Sequence, residues 1–250
     1  MGVVANGGHP GGTFSCTDIL VALYYGGILH FDPHNPIWDE RDRFILSKGH
    51  AGLALYPILA DLGFFPLSEL KSFGSRFGIN PDNINVPGVE INTGSLGRGL
   101  GIGAGLSLSG KIDRKDFCTV VLLGDGECYE GSVWEAALFA AHHELNRLVA
   151  IVDYNRISAL DFTKNVVRQE PVEDKWKAFG WNTVSINGHS FTEILRVLKD
   201  IHDPKSNKPL AIVANTIKGK GVSFMENNPS WHLGVPRGDE LETARRELTR

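Results

Sequence analysis

Two apolar runs, FCTVVLL (Phe117–Leu123) and LVAIVD (Leu148–Asp153), bracket an Ala-rich segment from Gly131 to Leu145. Apolar residues that follow one another, rather than alternating with polar ones, mark strands covered on both faces, as in a parallel sheet. The intervening segment, with Trp134, Leu138 and Leu145 near one face, reads as the helix of a βαβ unit. A right-handed crossover sets its two strands side by side or nearly so. Trp181–Ile186 and Pro209–Ala214 bring the candidate strands to at least four. Helical patterns fall at Thr17–Tyr25, Ala51–Leu62 (weakened by Pro57), Arg98–Gly110, Val172–Phe179, Phe191–Ile201 and Glu240–Arg250. Pro66–Phe73 starts another, with proline at its first position. Residues 1–12, 32–42 and 74–87 read as loops. The pattern predicts an α/β fold: a mostly parallel sheet flanked by helices, forming a single domain over residues 1–250.

Both strands of the central unit end abruptly, in Gly124-Asp125-Gly126-Glu127 and in Tyr154-Asn155-Arg156-Ile157. Asp125 and Asn155 therefore share the carboxyl edge, where open α/β sheets bind ligands. A carboxylate, an amide oxygen and a backbone carbonyl are hard ligands suited to Mg²⁺ or Ca²⁺. The glycines beside Asp125 let backbone N–H groups approach a phosphate. A GDG turn also serves simply to end a strand, and local pattern alone leaves both readings open.

Composition sharpens this. Glycine supplies 29 of 250 residues, against a usual share of about 7%. The glycines gather at Gly7–Gly12, Gly94–Gly110 and Gly219–Gly221, as expected for backbone loops converging on a ligand. Inside a helix each glycine costs up to about 1 kcal/mol relative to alanine. Gly99, Gly101, Gly103 and Gly105 thus predict close approach to another helix or chain. His9 and His50 lie in or beside glycine-rich turns, as structural hydrogen bonders or as donors to an anionic oxygen.

A net charge of -4, with no block of basic residues, gives no reason to expect nucleic acid. No apolar run approaches the roughly 18 residues of a membrane span, and the N-terminus lacks the pattern of a secretory signal. Three scattered cysteines, Cys16, Cys118 and Cys128, suit a reduced, cytoplasmic protein, with Cys128 in a packing role. No GxGxxG follows a strand and opens a helix, which argues against a plain dinucleotide-binding domain.

GDGECYEGSVWEAA, followed thirty residues after Asp125 by Asn155 in DYNRI, resembles the thiamine-diphosphate motif of transketolases. The resemblance extends to GHPGG at Gly8–Gly12, DRFILSKGH at Asp42–His50, PGVE at Pro87–Glu90, TGSLG at Thr93–Gly97 and KGKGVSF at Lys218–Phe224 through Trp231-His232, all in family order. It implies thiamine diphosphate as cofactor, with Mg²⁺ (or Ca²⁺ or Mn²⁺) held by Asp125, the Asn155 side chain and the Ile157 carbonyl. It further implies that His50 faces the diphosphate, and that His9 faces the reacting carbon and the substrate oxygen. His232 would contact the phosphate side and the substrate entrance. Gly94, Ser95 and Leu96 would lie along the cofactor, Leu96 against its ring, with Gly124, Gly126, Glu127 and Lys218 as further contacts. His9, His50 and His232 would be the catalytic side chains.

The implied reaction moves a two-carbon ketol unit from a ketose (phosphate) donor to an aldehyde or other acceptor. A pyruvate-using or acyl-transferring relative that delivers to a carrier, and a non-catalytic scaffold with a vestigial site, are the alternatives.

Three departures qualify the resemblance. The family's Gly-His-Pro loop reads Gly78-Ile79-Asn80-Pro81 here, Leu233 replaces a usual glycine, and the helix that normally precedes GHPG is missing or lies before an internal methionine. The resemblance also covers only the amino-terminal third of an ordinary transketolase. The glutamate that activates the aminopyrimidine belongs to a following domain, and by resemblance Glu130 joins a network between two active sites instead. A separate C-terminal subunit carrying the pyrimidine-binding domain and that glutamate is therefore expected, with two copies of each chain in a heterotetramer.

Overall fold

Five strands, Arg43–Leu46 (β1), Thr119–Gly124 (β2), Leu148–Tyr154 (β3), Asn182–Asn187 (β4) and Leu210–Asn215 (β5), pair in parallel in the order β1-β2-β3-β5-β4. The computed structural model describes residues 7–71 and 76–249. Among the described residues, six helices of at least seven residues flank the sheet, Pro10–Tyr25 (α1), Gly52–Asp61 (α2), Gly99–Asp113 (α3), Gly131–His142 (α4), Val172–Ala178 (α5) and Phe191–Leu198 (α6), and a seventh, Asp239–Leu248 (α7), packs on Val222 and Met225.

Alternate residues of β1, β2, β3 and β5 feed two separate cores. Phe44, Leu46, Val120 and Leu122 pack under α1, α2 and α6, whereas Ile45, Val121, Leu123 and Val152 pack under α3, α4 and α5. This double cover is why β2 and β3 are apolar at nearly every position, and the expected βαβ unit is present with its strands adjacent. Among the described residues, no helix is long and apolar enough to cross a membrane.

Several expectations are corrected. Helix α1 begins at Pro10, inside the segment read as a loop (residues 1–6 of that segment lie outside the described residues). Proline at the first helical position lacks only an N–H that would be unpaired anyway. The strand β1 carries no readable pattern because its four residues, one of them the charged Arg43, make too short a run, although all four are buried.

In α4 the buried face is Val133, Ala136, Ala137 and Ala140, and Leu138 is 61% exposed. Small residues, not the large ones, press this helix onto α3 and the sheet. Leu67–Lys71 forms a 3-10 turn where a helix from Pro66 was expected, and Phe73 lies outside the described residues. Helix α3 approaches its neighbour α4, as expected, and its tightest glycine contacts are with the sheet side. A Cβ at Gly103 would lie 2.6 Å from Val121 Cγ2 and one at Gly99 2.2 Å from Ser47 Oγ, whereas Gly101 and Gly105 face outward.

Candidate functional site

The carboxyl ends of β1, β2, β3 and β5 carry the polar residues of the site. Beyond β2, Asp125 caps a short turn and accepts Gly126 N–H at 2.7 Å. Beyond β3, Arg156 takes a left-handed backbone (φ 64°), an uncommon conformation for a side chain of this size. The twist lets Arg156 N–H donate to Asp125 Oδ2 at 2.5 Å, while Asn155 Oδ1 accepts Ile157 N–H at 3.1 Å. Gln169 Nε2 donates to the Asp125 carbonyl at 2.6 Å and fixes the turn from below.

The glutamate of GDGE holds loops together. The Glu127 carboxylate accepts Ser47 Oγ, Gly97 N–H at 2.9 Å and Gly124 N–H at 3.1 Å. It thus ties the Gly94–Gly97 loop and the end of β1 to β2. Ser132 Oγ donates to the Gly97 carbonyl at 2.9 Å, and Gly97 itself has φ 83°.

On the opposite wall, the 219–234 segment is pinned to the start of α1, with Gly219 N–H donating to Gly11 O at 2.9 Å and Gly234 N–H to Gly8 O at 3.0 Å. This brings His232 to His9 and His50. Ring centroids are 5.1 Å apart for His9–His50 and His9–His232, and 5.7 Å for His50–His232.

A cavity of about 470 Å³ opens between these walls, lined by His9, His50, His232, Gly94, Leu96 and Glu127, with Gly124, Gly126, Asn80 and Leu160 at its edges. Of the residues singled out in the sequence, Ser95 is exposed and outside the lining. Asp125, Asn155 and Ile157 lie buried at the strand ends. Lys218 Nζ donates to the Ile157 carbonyl at 2.7 Å and to Ser158 O at 3.1 Å, and lies 2.9 Å from His232 Nδ1. Cys128 is buried, and burial raises its thiol well above the ordinary range, consistent with packing.

Burial sets the electrostatics. It lowers His50 to about 2 and His232 to about 4, with Lys48 the next cause for His50 and Lys218 for His232, and it lowers His9 as well. All three imidazoles are therefore neutral near pH 7. Burial, then Asp153, raises Asp125 to about 7, and burial lowers Lys218 to about 8.

Behind the wall lies a network that the sequence did not single out. The fully buried Lys48 ammonium pairs with Asp153, which also accepts Ser15 Oγ at 2.5 Å and Thr216 Oγ1. Lys48 Nζ also donates to Gly12 O at 2.9 Å. The signal available was a charge closing an apolar strand, at Asp153, and a lysine in the middle of ILSKGH. A larger concavity of about 560 Å³, between residues 29–42 and 83–90, is separate from these strand ends.

The site fits a phosphorylated cofactor and a hard cation. Its oxygen donors at Asp125, Asn155 and Ile157 suit Mg²⁺-type coordination, a buried carboxylate awaits a counter-charge, and His9 Nδ1 is buried without a protein partner. The chain matches the family described as "Transketolase, thiamine diphosphate binding domain" over residues 3–249 and belongs to it. It is thus a thiamine-diphosphate-binding chain of the transketolases, transferases that take a two-carbon ketol unit from a ketose donor.

It is 43% identical over 248 residues to an apulose-4-phosphate transketolase subunit of Phocaeicola vulgatus, covering 98% of this chain and 87% of the relative. It is 42% identical to the 6-deoxy-6-sulfo-D-fructose transketolase subunit SqwG of a Clostridium species, covering 90% of this chain and 82% of that protein. The crystal structure of Campylobacter jejuni transketolase superposes with a TM-score of 0.91 at 32% identity, covering 99% of this chain and 40% of that one.

Proposed function

We propose that this chain, as a single diphosphate-binding domain, is one subunit of a two-subunit transketolase, completed by a chain that carries the pyrimidine-binding domain and the activating glutamate. The observation that carries this reading is a cavity with three histidines on one wall, facing the Gly124–Gly126 turn that carries the buried Asp125. The similarity to proteins named as transketolase subunits supports the division into two chains. Two copies of each chain, working in the cytoplasm, complete the proposal.

Asp125, Asn155 and the Ile157 carbonyl would hold one Mg²⁺. Backbone N–H groups around Gly94–Leu96 and Gly124–Gly126, with His50, Lys218 and His232, would hold the diphosphate. When bound, thiamine diphosphate supplies the carbon nucleophile at which a ketose C–C bond is cleaved. The chain's own contribution is to orient and to hold protons. Neutral His9 and His50 would donate N–H to an oxygen that gains negative charge, the role in which preorganised donors are most effective. Lys218 offers a positive charge beside His232 at the entrance, and Leu233, 61% exposed, shapes that entrance.

Asn80 bears on donor choice. It lines the cavity and packs on Gly94, where a Cβ would lie 2.7 Å from Asn80 Nδ2. An amide donates a hydrogen bond but carries no charge, so the donor is held differently from the ketose phosphates of transketolases that carry histidine in this loop.

The test is co-expression with the candidate partner, followed by turnover assays on a panel of ketose phosphates, branched and sulfonated ketoses, and pyruvate. Ketol transfer is expected only with both chains, Mg²⁺ and thiamine diphosphate. Full turnover by the 250-residue chain alone, or turnover of pyruvate only, would overturn the proposal.

A further inference from the structure

At the opposite, amino-terminal edge of the sheet, two histidines flank a buried aspartate. Asp42 immediately precedes β1, and its side chain is 1% exposed. Its Oδ1 accepts Cys118 N–H at 2.6 Å and its Oδ2 accepts His30 N–H at 2.7 Å. The same Oδ2 lies 3.3 Å from His202 Nε2 and 3.9 Å from His30 Nδ1. The Ile28 carbonyl lies 3.0 Å from His202 Nε2. Among the described residues, this is the one group of three His, Cys, Asp or Glu residues whose ligand atoms all lie within 4.8 Å of one another.

The other nitrogen of His202 is also engaged. Its Nδ1 lies 3.4 Å from Cys118 Sγ, and that thiol points to the Ile201 carbonyl at 3.1 Å. Nε2 faces the Asp42 carboxylate and the Ile28 carbonyl, two acceptors, and the sulfur can accept Nδ1–H when Nε2 is given to an ion. An outer partner of this kind fixes ring and tautomer in metal-binding histidines.

We propose that His30, Asp42 and His202 bind a zinc-class divalent ion, with the Ile28 carbonyl or water as the fourth ligand. Tetrahedral zinc, with bonds of about 2.0–2.2 Å, separates its ligand atoms by about 3.4 Å, close to the spacings found. Two imidazoles and one carboxylate select zinc or its transition-metal neighbours over Mg²⁺, in contrast to the all-oxygen set at Asp125.

The two rings are stacked, with centroids 4.1 Å apart and planes at 13°. Only His30 must turn to aim its lone pair at the ion, and its side chain, 57% exposed, is free to do so. Both His30 and Asp42 line the 560 Å³ concavity, which gives the ion a route in. The ion would clamp together three segments: the turn after α1, the start of β1 and the turn after α6.

The titratable groups packed on the His202 ring are Asp42, Cys118 and His30.

The test is calorimetric titration of the full chain with Zn²⁺ in excess Mg²⁺, with the visible spectrum of Co²⁺ as a geometric probe. One ion per chain and tetrahedral Co²⁺ bands are expected for the wild type and for Asp125→Asn. His30→Ala should weaken binding by at least the tenfold that loss of even an outer partner costs, and His202→Gln should do the same. If His202→Gln fails to fold, the exposed His30 decides the matter. No zinc binding by the wild type, unchanged affinity in His30→Ala, or loss of the ion in Asp125→Asn would overturn the site.

Discussion

Lys48→Met is the sharpest probe of how the cofactor wall is held. The substitution keeps most of the aliphatic volume and removes the ammonium. Lys48 is 1% exposed as a side chain and its partner Asp153 is 0% exposed, so neither charge has water to turn to. Removing one member of a buried pair costs about 3–5 kcal/mol. The structure bounds where in that range the effect falls. Asp153 keeps the Ser15 and Thr216 hydroxyls as donors, which softens the loss, whereas the Gly12 carbonyl loses its donor at 2.9 Å, at a further cost of about 1–3 kcal/mol. A net loss of about 4 kcal/mol follows, or roughly 1.3 M in urea midpoint for an m value near 3 kcal/mol/M.

The assay is urea unfolding of the full chain in metal-free buffer, followed by tryptophan fluorescence. The double variant Lys48→Met/Asp153→Asn should recover much of the loss, because neutral pairs in place of a buried ion pair are often tolerated. A single-variant loss below about 1 kcal/mol, or a double variant as unstable as the single, would refute the reasoning.

Asp125→Asn should abolish tight Mg²⁺–thiamine-diphosphate binding in the assembled enzyme and cost the fold about 1–3 kcal/mol, because an amide oxygen can accept only one of the two backbone N–H groups that the carboxylate holds. Equal cofactor affinity by calorimetry would remove Asp125 from the metal site. Gly103→Ala should destabilise by about 1–3 kcal/mol because its Cβ would meet Val121, whereas Gly105→Ala, with nothing within 4 Å, should stabilise by up to about 1 kcal/mol. Thermal melts that rank the two the other way would refute the packing assigned to α3. Asn80→His should shift donor preference towards ordinary ketose phosphates in kcat/KM, and a wild-type enzyme already efficient with xylulose 5-phosphate would sink that idea.

The βαβ unit at the centre was legible because β2 and β3 are covered on both faces, which leaves an apolar signal that needs no partner to interpret. The same logic hid β1. Its four residues owe their burial to neighbours far away in sequence, and a run of that length carries no period. Leu138 shows a second limit, since residue size is a poor guide where alanines make the close contact. The turn chemistry at Asp125 and Asn155 was visible as strand ends, but the convergence of His232 on His9 and His50 depends on a long return of the chain. The Lys48–Asp153 pair was unreadable for a related reason: each charge looks solvated until the fold sets one against the other. His30 and His202 share no local pattern at all.

The pinning of the 219–234 segment onto the first turn of α1 has a kinetic consequence. The cavity is closed by residues from the two ends of the described chain, so it cannot exist until His232 has returned to His9. Loop closure over such a span is entropically costly and is rewarded only late in folding. The cofactor therefore has no partial site to act on as a template, and its binding energy is absent from the folding transition state. Added Mg²⁺ and thiamine diphosphate should slow unfolding of the assembled enzyme while leaving its refolding rate nearly untouched, as for any interaction formed after the barrier.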